Sequence, residues 1–505
     1  MRKFILIFLL ALFPLVMSGQ DRREFDRFKE RTERRFDRSE ERKNDRFERF
    51  SDKVHARFER FRAKANYDYA AFMAKTWGRY SALPPMKRPT EPKPVVPPVY
   101  VPDDDIDVPV PDYTVPYEEI EVDTTPVAPP ELLPVPVSPE PMDIVTFSFY
   151  GTECHAEADM DFRFTLGDLS EAALGSLWIE ISDGRFNNML SDCIKARSDL
   201  ALCDWAYLKY VEMMTEAYLG TADANATVFL QHYILTQSGY AVRLCRSQEN
   251  GRLALLAAFD SSDIYGYRFM RIGSENFYIV DRTMPDGSYY VLDIPFEAEC
   301  VMSSSVSMPV LENRPSRPRL LASKTYPDVS ADVDVNLNMM DFFGDYPLTS
   351  DWSLYSAASL SRQAKSCLYP VLKQAVSGKS EKEAVGLLLN FVQTSLEYMT
   401  DEEQFGYERP LFPDESLYYP YCDCEDRAIL FSVLVREILG LDVVFLHYPG
   451  HLATAVAFSS EDVSGDNLIV DGRKFVVCDP TYINAGIGMS MPQYRGVGVK
   501  VIRTL

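Results

Sequence analysis

Apolar residues from position 142 onward recur first at helical spacing and then at strand spacing, and the chain passes through this order twice. Residues 299–333 and 403–421 carry neither period and are expected to be irregular. The first passage predicts a strand at 144–150, helices at 169–181, 186–197, 202–219 and 225–236, and strands at 240–245, 253–259, 267–272 and 277–280. The second predicts helices at 354–375, 381–398 and 424–439, and strands at 443–446, 453–458, 467–470 and 474–478. Helices that precede strands without alternation predict an α+β fold with antiparallel sheets, in domains at 142–333 and 334–505.

The first 82 residues follow a different pattern. A basic start, an apolar stretch and small residues before position 20 are typical of a signal peptide, here residues 1–19. In residues 20–82, phenylalanine recurs every 11 residues from Phe25 to Phe58, which places the rings on one face of a long charged helix. This face predicts self-association or attachment to an acidic surface. The alternative is a solvated helix that packs loosely on its own protein.

A proline-rich segment at 83–141 separates this helix from the two domains. Residues 84–141 hold 18 of the 33 prolines of the chain, with Val, Asp and Glu between them. This composition predicts an extended, semi-rigid and mostly unfolded segment. We interpret it as a spacer, although proline-rich motifs can also be ligands for other domains.

Charge and cysteine content narrow the classes of function. The formal net charge of −23 argues against nucleic acid as a partner. After the N-terminal stretch no segment is apolar for long enough to span a membrane, so the mature protein is expected to be exported and soluble, in the periplasm or outside the cell. The nine cysteines lack the density of a disulfide scaffold, although Cys193 and Cys203 are close enough in sequence to pair.

The most promising chemistry lies at residues 421–428, which read YCDCEDRA. A polar turn that carries Cys424 opens an apolar helix. A helix N-terminus has partial positive charge and free N–H groups, and both favour the thiolate, which is the reactive form of cysteine. The alternative is that Asp423 caps the helix and that the cysteine beside it has no chemical role.

A nucleophilic cysteine needs a base, and the base needs a group that orients it. Two histidines follow the cysteine helix, His447 at the end of one strand and His451 at the start of the next. A carboxylate, Asp479, follows at the end of a later strand. The chain therefore supplies all three kinds of group within a short stretch.

The motifs DCED, GHLATAVAF and DPTY, in this order within residues 401–491, resemble the transglutaminase-like superfamily. That superfamily has a papain-like fold and a Cys-His-Asp triad. The resemblance implies that Cys424 is the nucleophile, that His451 is the general base and acid, and that Asp479 orients His451.

Several assignments have rivals. Cys422 precedes the helix start and should not share the site, and His447 lacks the strand motif that follows its rival. The spacing of Cys422 and Cys424 is too tight for a zinc knuckle and no second pair follows, so neither a metal nor a cofactor is expected. The oxyanion donor is open between the Cys424 backbone N–H and a side chain such as Tyr419 or Tyr421.

The domain at 142–333 resembles a second copy of the domain that follows it. Three segments align in order, at offsets of 198 to 201 residues: 225–239 with 426–440, 251–259 with 450–458, and 274–283 with 473–481. The copy keeps the aspartate as Asp281, but Arg252 replaces the histidine and Asp223 the cysteine. We interpret it as a degenerate transglutaminase-like domain with a structural or substrate-binding role. The alternative is two unrelated α+β patterns.

The sequence therefore predicts an exported thiol enzyme that acts on a protein or peptide through an acyl-enzyme on Cys424. Water as the acceptor gives a cysteine peptidase or amidase, which the resemblance favours because bacterial members of the superfamily are mostly hydrolases. An amine as the acceptor gives a protein-crosslinking acyltransferase. A non-catalytic envelope protein that binds a peptide or glycan is the alternative from another class.

Overall fold

The described part of the chain covers most of the two predicted domains. The computed structural model describes residue 53 and residues 56–90, 93–94, 96–101, 112–119, 130, 135–138, 140, 142–261, 263–460 and 462–504. The chain divides into two units, residues 1–68 and 69–505. In the first unit, residues 56–68 are helical. The predicted signal peptide and most of the phenylalanine repeat lie outside the described residues.

The second unit is a mixed α+β structure that spans both predicted domains. Its helices are α1 (Glu171–Ile181), α2 (Asn187–Asp199), α3 (Asp204–Leu219), α4 (Ala224–Gln237), α5 (Leu337–Asp345), α6 (Trp352–Ala357), α7 (Arg362–Val376), α8 (Glu381–Ser395), α9 (Asp401–Gln404), α10 (Pro413–Tyr418) and α11 (Cys424–Leu439).

Its strands are short and most of them pair antiparallel. They are β1 (Gly78–Ser81), β2 (Tyr113–Thr114), β3 (Tyr117–Glu119), β4 (Asp143–Phe149), β5 (Thr152–Ala158), β6 (Val242–Ser247), β7 (Leu253–Ala258), β8 (Phe269–Ile272), β9 (Glu275–Ile279), β10 (Ser288–Val291), β11 (Arg319–Ala322), β12 (Ser330–Val333), β13 (Glu397–Tyr398), β14 (Tyr421–Cys422), β15 (Val443–Tyr448), β16 (His451–Ala457), β17 (Asp466–Val470), β18 (Arg473–Cys478) and β19 (Val499–Arg503).

The two larger sheets share one strand order. The first runs β1-β10-β6-β7-β9-β8, and the second runs β2-β17-β18-β16-β15-β19-β3. Without the added edge strands, both are five-stranded and antiparallel, and each strand of one has a counterpart at the same place in the other. Helix α4 packs on β6 and β7 as α11 packs on β15 and β16. The α+β class and the antiparallel sheets are therefore confirmed.

The second sheet is covered on both faces, which explains why β16 is buried along its whole length. Side chains alternate across a strand. Leu452 and Val456 join the large core around α11, whereas Ala453 and Ala455 join a smaller core on the opposite face.

Three stretches differ from the sequence prediction. The helix expected at 354–375 is two helices, because Ser361 caps α7 by accepting a hydrogen bond from the Ala364 N–H, and Ala358 and Ser361 have extended backbone. The stretch at 299–333 was expected to be irregular but contains the β11–β12 hairpin. The stretch at 403–421 contains α10. In these places local hydrogen bonds and tertiary pairing outweigh the weak apolar period.

Parts of the proline-rich segment belong to the folded unit. Strand β2 pairs with β17 and β3 pairs with β19, both parallel, so the segment supplies the two edge strands of the second sheet. Val115 between them is buried in the smaller core. The interpretation of 83–141 as a mostly unfolded spacer is therefore incomplete for its described residues.

Two further predictions concern a disulfide between Cys193 and Cys203 and the absence of a membrane-spanning segment. All nine cysteines are free thiols, so Cys193 and Cys203 do not form the pair that their spacing allowed. Within the described residues, each helix is too short or too polar to cross a membrane.

Candidate active site

Helix α11 begins at Cys424, directly after the short strand β14. The helix start is fixed by Asp426, whose carboxylate accepts hydrogen bonds from the backbone N–H groups of Asp423 (3.1 Å) and Leu411 (2.8 Å). The buried Arg427 guanidinium donates to the Leu396 carbonyl at 2.8 Å and joins the helix to the end of α8. Cys424 is thereby held at the first position of a helix, as predicted.

His451 is the first residue of β16, and a two-residue turn places it there. Pro449 and Gly450 join β15 to β16, and Tyr448 pairs with His451 across the hairpin. Gly450 has φ +72°, a conformation that glycine adopts without strain. The ring of His451 stacks on Tyr494 with centroids 5.2 Å apart.

Asp479 lies directly after β18 and binds His451. The distance from His451 Nε2 to Asp479 Oδ2 is 2.8 Å, and both side chains are buried. The other oxygen, Oδ1, accepts a hydrogen bond from the Thr481 N–H at 2.9 Å. Gln393 of α8 fixes the loop by donating to the carbonyls of Asp479 and Tyr482. A carboxylate only accepts, so Nε2 carries a hydrogen, and the neutral form of the imidazole has its lone pair on Nδ1.

Cys424 and His451 line one cavity of about 520 Å³. The backbone N–H of Leu452, the residue after His451, hydrogen-bonds the Cys424 sulfur and lowers its pKa. His451 Nδ1 is buried and has no hydrogen-bond partner among the described residues. The indole Nε1 of Trp352, which also lines the cavity, is in the same situation. The three residues predicted from the sequence are therefore brought together, with an unused acceptor and an unused donor beside them.

The rivals occupy other environments. Cys422 does not line the cavity; its thiol lies 3.7 Å from the Glu397 carbonyl, and burial raises its pKa to about 12. His447 lines the cavity, but its ring packs against Trp352 with centroids 4.8 Å apart, and His451 is the histidine that binds Asp479. Neither Tyr419 nor Tyr421 lines the cavity.

The Cys424 thiol differs from the prediction in its charge state. Cys424 is buried, with 1% of its surface exposed. Its thiol donates a hydrogen bond to Glu425 Oε2 at 3.2 Å. Burial and the charges of Glu425 and Asp423 raise the pKa of Cys424 well above its ordinary value, although Lys93 opposes the shift. The helix N-terminus is present, but nearby carboxylates outweigh it. The resting thiol is therefore protonated.

Four buried carboxylates surround the ammonium of Lys93 beside the thiol. Lys93 Nζ lies 2.6 Å from Glu408, 2.7 Å from Asp423 and 3.7 Å from Asp401, and it also contacts Glu425. We call these four residues the carboxylate cage. Nothing in the local sequence indicated that a lysine between two prolines enters the site. The density of acidic residues at 401–426 is the sequence signal that indicates a buried cation at this place.

Parts of the cage also have the spacing of metal ligands. Ligand atoms within 4.8 Å of one another occur in three overlapping groups among the described residues: Asp423, Cys424 and Glu425; Asp401, Asp423 and Asp426; and Asp401, Glu408 and Glu425. In this structure the Lys93 ammonium lies among them and supplies the positive charge that such oxygen ligands require.

The cage is expected to make stability depend on pH. Burial, with the charges of Asp426 and Glu425, raises the pKa of Asp401 to about 9, against the opposing effects of Lys93 and the Arg409 N–H. A carboxyl group with a raised pKa keeps its proton in the folded chain. Its contribution to stability is therefore complete below about pH 4 and is lost as the pH rises through the folded value.

Asp401→Asn tests this dependence, because asparagine can still accept from Arg409 and carries no charge. The unfolding temperature of the variant should rise relative to wild type by several degrees between about pH 5 and about pH 9. Glu402→Gln, at an exposed position of the same short helix, is the control. A difference that stays constant over this range would contradict a raised pKa at Asp401.

The first sheet carries a related pair at the equivalent place. Arg252 donates to Asp281 Oδ2 at 3.0 Å, just as His451 contacts its aspartate at the start of the matching strand. Asp223 is the N-cap of α4, so by helix position it matches Asp423, and Ala224 matches Cys424. The sequence alignment that set Asp223 against the cysteine is therefore off by one residue. In either alignment the matching positions hold neither a thiol nor an imidazole.

Comparison with known proteins adds no relative. No family model, curated protein or solved structure matches the chain. The interpretation of the site therefore rests on its own geometry.

Proposed function

We propose that the chain is a thiol hydrolase of the transglutaminase-like type, a cysteine peptidase or amidase that works through an acyl-enzyme on Cys424. One observation carries the proposal. The His451 imidazole is fixed through Nε2 by Asp479 at 2.8 Å, and its buried Nδ1 is unpartnered beside a cavity that also contains Cys424 at the start of a helix. A base, its orienting group and a nucleophile are the parts that covalent acyl transfer needs.

In the proposed reaction, His451 Nδ1 takes the thiol proton as the Cys424 sulfur bonds to the carbonyl carbon. Asp479 stabilises the imidazolium that forms. When the tetrahedral intermediate collapses, the carbon–nitrogen bond breaks and the imidazolium returns the proton to the leaving amine. Water then adds to the thioester with His451 again as the base, which releases the acid and the thiol.

The raised pKa of Cys424 favours proton transfer during attack over a thiolate–imidazolium pair formed in advance. Burial and two neighbouring carboxylates disfavour the thiolate, so the proton leaves only as the new bond forms. The Trp352 indole N–H is buried, is unpartnered among the described residues and belongs to a residue that lines the same cavity, so it is our candidate donor to the substrate carbonyl. It takes the place of the tyrosines that the sequence offered for this role.

We propose that the two halves of residues 142–505 are tandem transglutaminase-like domains, of which the first is degenerate. The shared strand order and the matching Arg252–Asp281 pair support this. Arginine cannot accept a proton from a thiol at physiological pH, and Ala224 supplies no nucleophile. The first domain would then serve structure or substrate binding. The N-terminal sequence at 1–19 supports export of the protein.

A non-catalytic binding protein is the second candidate, and the burial of Cys424, whose neighbour Glu425 pairs with Lys93, favours it. On this view the cavity holds a peptide or glycan and the thiol is a buried filler. The orphaned His451 Nδ1 argues against it, because a buried imidazole with no chemical role normally has both nitrogens satisfied.

The test compares wild type with Cys424→Ala on a peptide library that contains a fluorescent primary amine. New peptide termini that need Cys424 would support hydrolysis, and labelled peptides that need Cys424 would show transfer to the amine instead. Cys422→Ala is the matched control. Product patterns that are the same for wild type and Cys424→Ala would overturn the proposed function and leave the binding protein.

A further inference from the structure

The carboxylate cage places four acidic side chains around one ammonium, which is more than a structural ion pair needs. Asp401, Glu408, Asp423 and Glu425 are buried, and Asp426 lies close to two of them. Lys93, whose side chain is 7% exposed, is the ammonium that contacts all four cage members. Ionised carboxylates without counter-charges are costly to bury. The cage is therefore built for a cation.

The cation comes from a remote part of the chain. The cage residues lie between positions 401 and 425, whereas Lys93 belongs to the proline-rich segment. Arg88 and Pro89 of this segment line the cavity with Cys424, and Arg88 donates to the Thr349 carbonyl at 2.6 Å. Lys93 contacts the cage through ion pairs, so a ligand that supplies the same charge can replace its ammonium.

The cage opens onto the nucleophile. Glu408, Glu425 and Lys93 line the cavity together with Cys424 and His451. Glu425 contacts both the Lys93 ammonium and the Cys424 thiol. One oxygen of Asp423, Oδ1, is buried and has no hydrogen-bond partner among the described residues. A cationic group bound in the cage in place of Lys93 would contact Glu425, which itself contacts the reacting sulfur.

We propose that the carboxylate cage is a subsite for the alkylammonium group of a cationic substrate, and that Lys93 occupies it as a tethered competitor. The substrate class is then a peptide or amide that carries a lysine-like side chain or a terminal amine near the bond that reacts. This inference rests on the proposed function of the adjacent thiol. Its test is designed to separate the two.

The binding test uses Cys424→Ser, which removes the chemistry. Lys93→Ala in this background leaves a cage without its ammonium, and Lys87→Ala, an exposed lysine of the same segment, is the matched control. n-Butylammonium should raise the unfolding temperature of the Lys93→Ala protein saturably and should have little effect on the control. The rise should be larger at about pH 8 than at about pH 5, where more of the carboxyl groups are protonated.

Three outcomes would overturn the proposal. n-Butanol could match n-butylammonium, which would show that charge is irrelevant. A second such outcome is that neither n-butylammonium nor n-butanol changes the unfolding temperature. Calcium, magnesium or zinc chloride could stabilise the Lys93→Ala protein where n-butylammonium does not, which would make the cage a metal site.

A second measurement does not depend on the folding of Lys93→Ala. Titration calorimetry on Cys424→Ser compares Nα-acetyl-lysine methylamide with its neutral analogue, Nα-acetyl-norleucine methylamide. The lysine compound can take over the cage contacts that Lys93 gives up, whereas the norleucine compound would leave the buried carboxylates without a cation, so the lysine compound should bind at least about tenfold more tightly. Equal affinities would overturn the proposal.

The two ideas can fail separately. Ammonium binding without Cys424-dependent products in the peptide library would contradict the enzyme and leave the cage as a cation site. Cys424-dependent products with no preference for lysine over norleucine, and no ammonium binding, would overturn the cage alone.

Discussion

Cys424→Ala should lower turnover of any amide or ester substrate by about 10³-fold or more, and His451→Ala should lower it by a similar factor. The two residues act in one step, so the double variant should be no slower than the slower single variant by more than about a factor of a few. Asp479→Asn keeps the packing but removes the charge that holds the Nε2–H tautomer. It should cost about 10²-fold or more.

Cys422→Ala is the control for this series. Its thiol is two residues away and buried, but it lies outside the cavity. Its activity should stay within about twofold of wild type. Additive losses in the Cys424 and His451 double variant would show that the two side chains do not act together and would contradict the mechanism.

Phe412→Ala should lower the free energy of unfolding by about 3–5 kcal/mol, the usual cost of emptying a buried phenylalanine site. The Phe412 ring stacks on Phe343 with centroids 4.3 Å apart and packs against Tyr346 at 5.5 Å and Tyr355 at 4.8 Å. These contacts join the segment before α10 to α5 and α6. The neighbouring Leu411 N–H binds Asp426, so the loss should also loosen the start of the Cys424 helix.

Tyr407→Ala is the control, because this aromatic residue of the same segment is about half exposed. It should change stability by less than about 1 kcal/mol in urea unfolding. Equal losses for the two variants would show that the aromatic cluster around Phe412 is not the source of the stabilisation.

The sequence predicted the repeated parts of the fold because their apolar periods are strong. Strands β6 to β9, strands β15 to β18 and the helix that begins at Cys424 lie within a few residues of their predicted positions, whereas β10, β19 and the added edge strands were not predicted. Hairpins such as β15–β16 carry local turn signals in Pro449 and Gly450. Helix α5 and the β11–β12 hairpin were not predicted, because their formation depends on the helices that they pack against and not on a strong local apolar period.

The positions of the candidate site residues could be predicted from the sequence, but the electrostatics around them could not. Cys424, His451 and Asp479 stand on elements whose ends converge once the sheet is formed. The pKa of the thiol depends instead on the buried carboxyl groups of Glu425 and Asp423 and on the ammonium of Lys93. Lys93 is more than 300 residues away from Cys424 in the sequence. A contact across such a separation leaves no local pattern. The helix N-terminus alone therefore gave the wrong expectation for the thiolate.

The central claim is that Cys424, His451 and Asp479 form one working nucleophilic site. The most direct test is to treat the protein with p-nitrophenyl acetate, quench it with acid and map the acetyl group by mass spectrometry. We predict a hydroxylamine-sensitive thioester on Cys424, formed about 100-fold more slowly in His451→Ala. Acetylation that is spread over the other cysteines and lysines, or that reaches Cys424 at the same rate without His451, would contradict it.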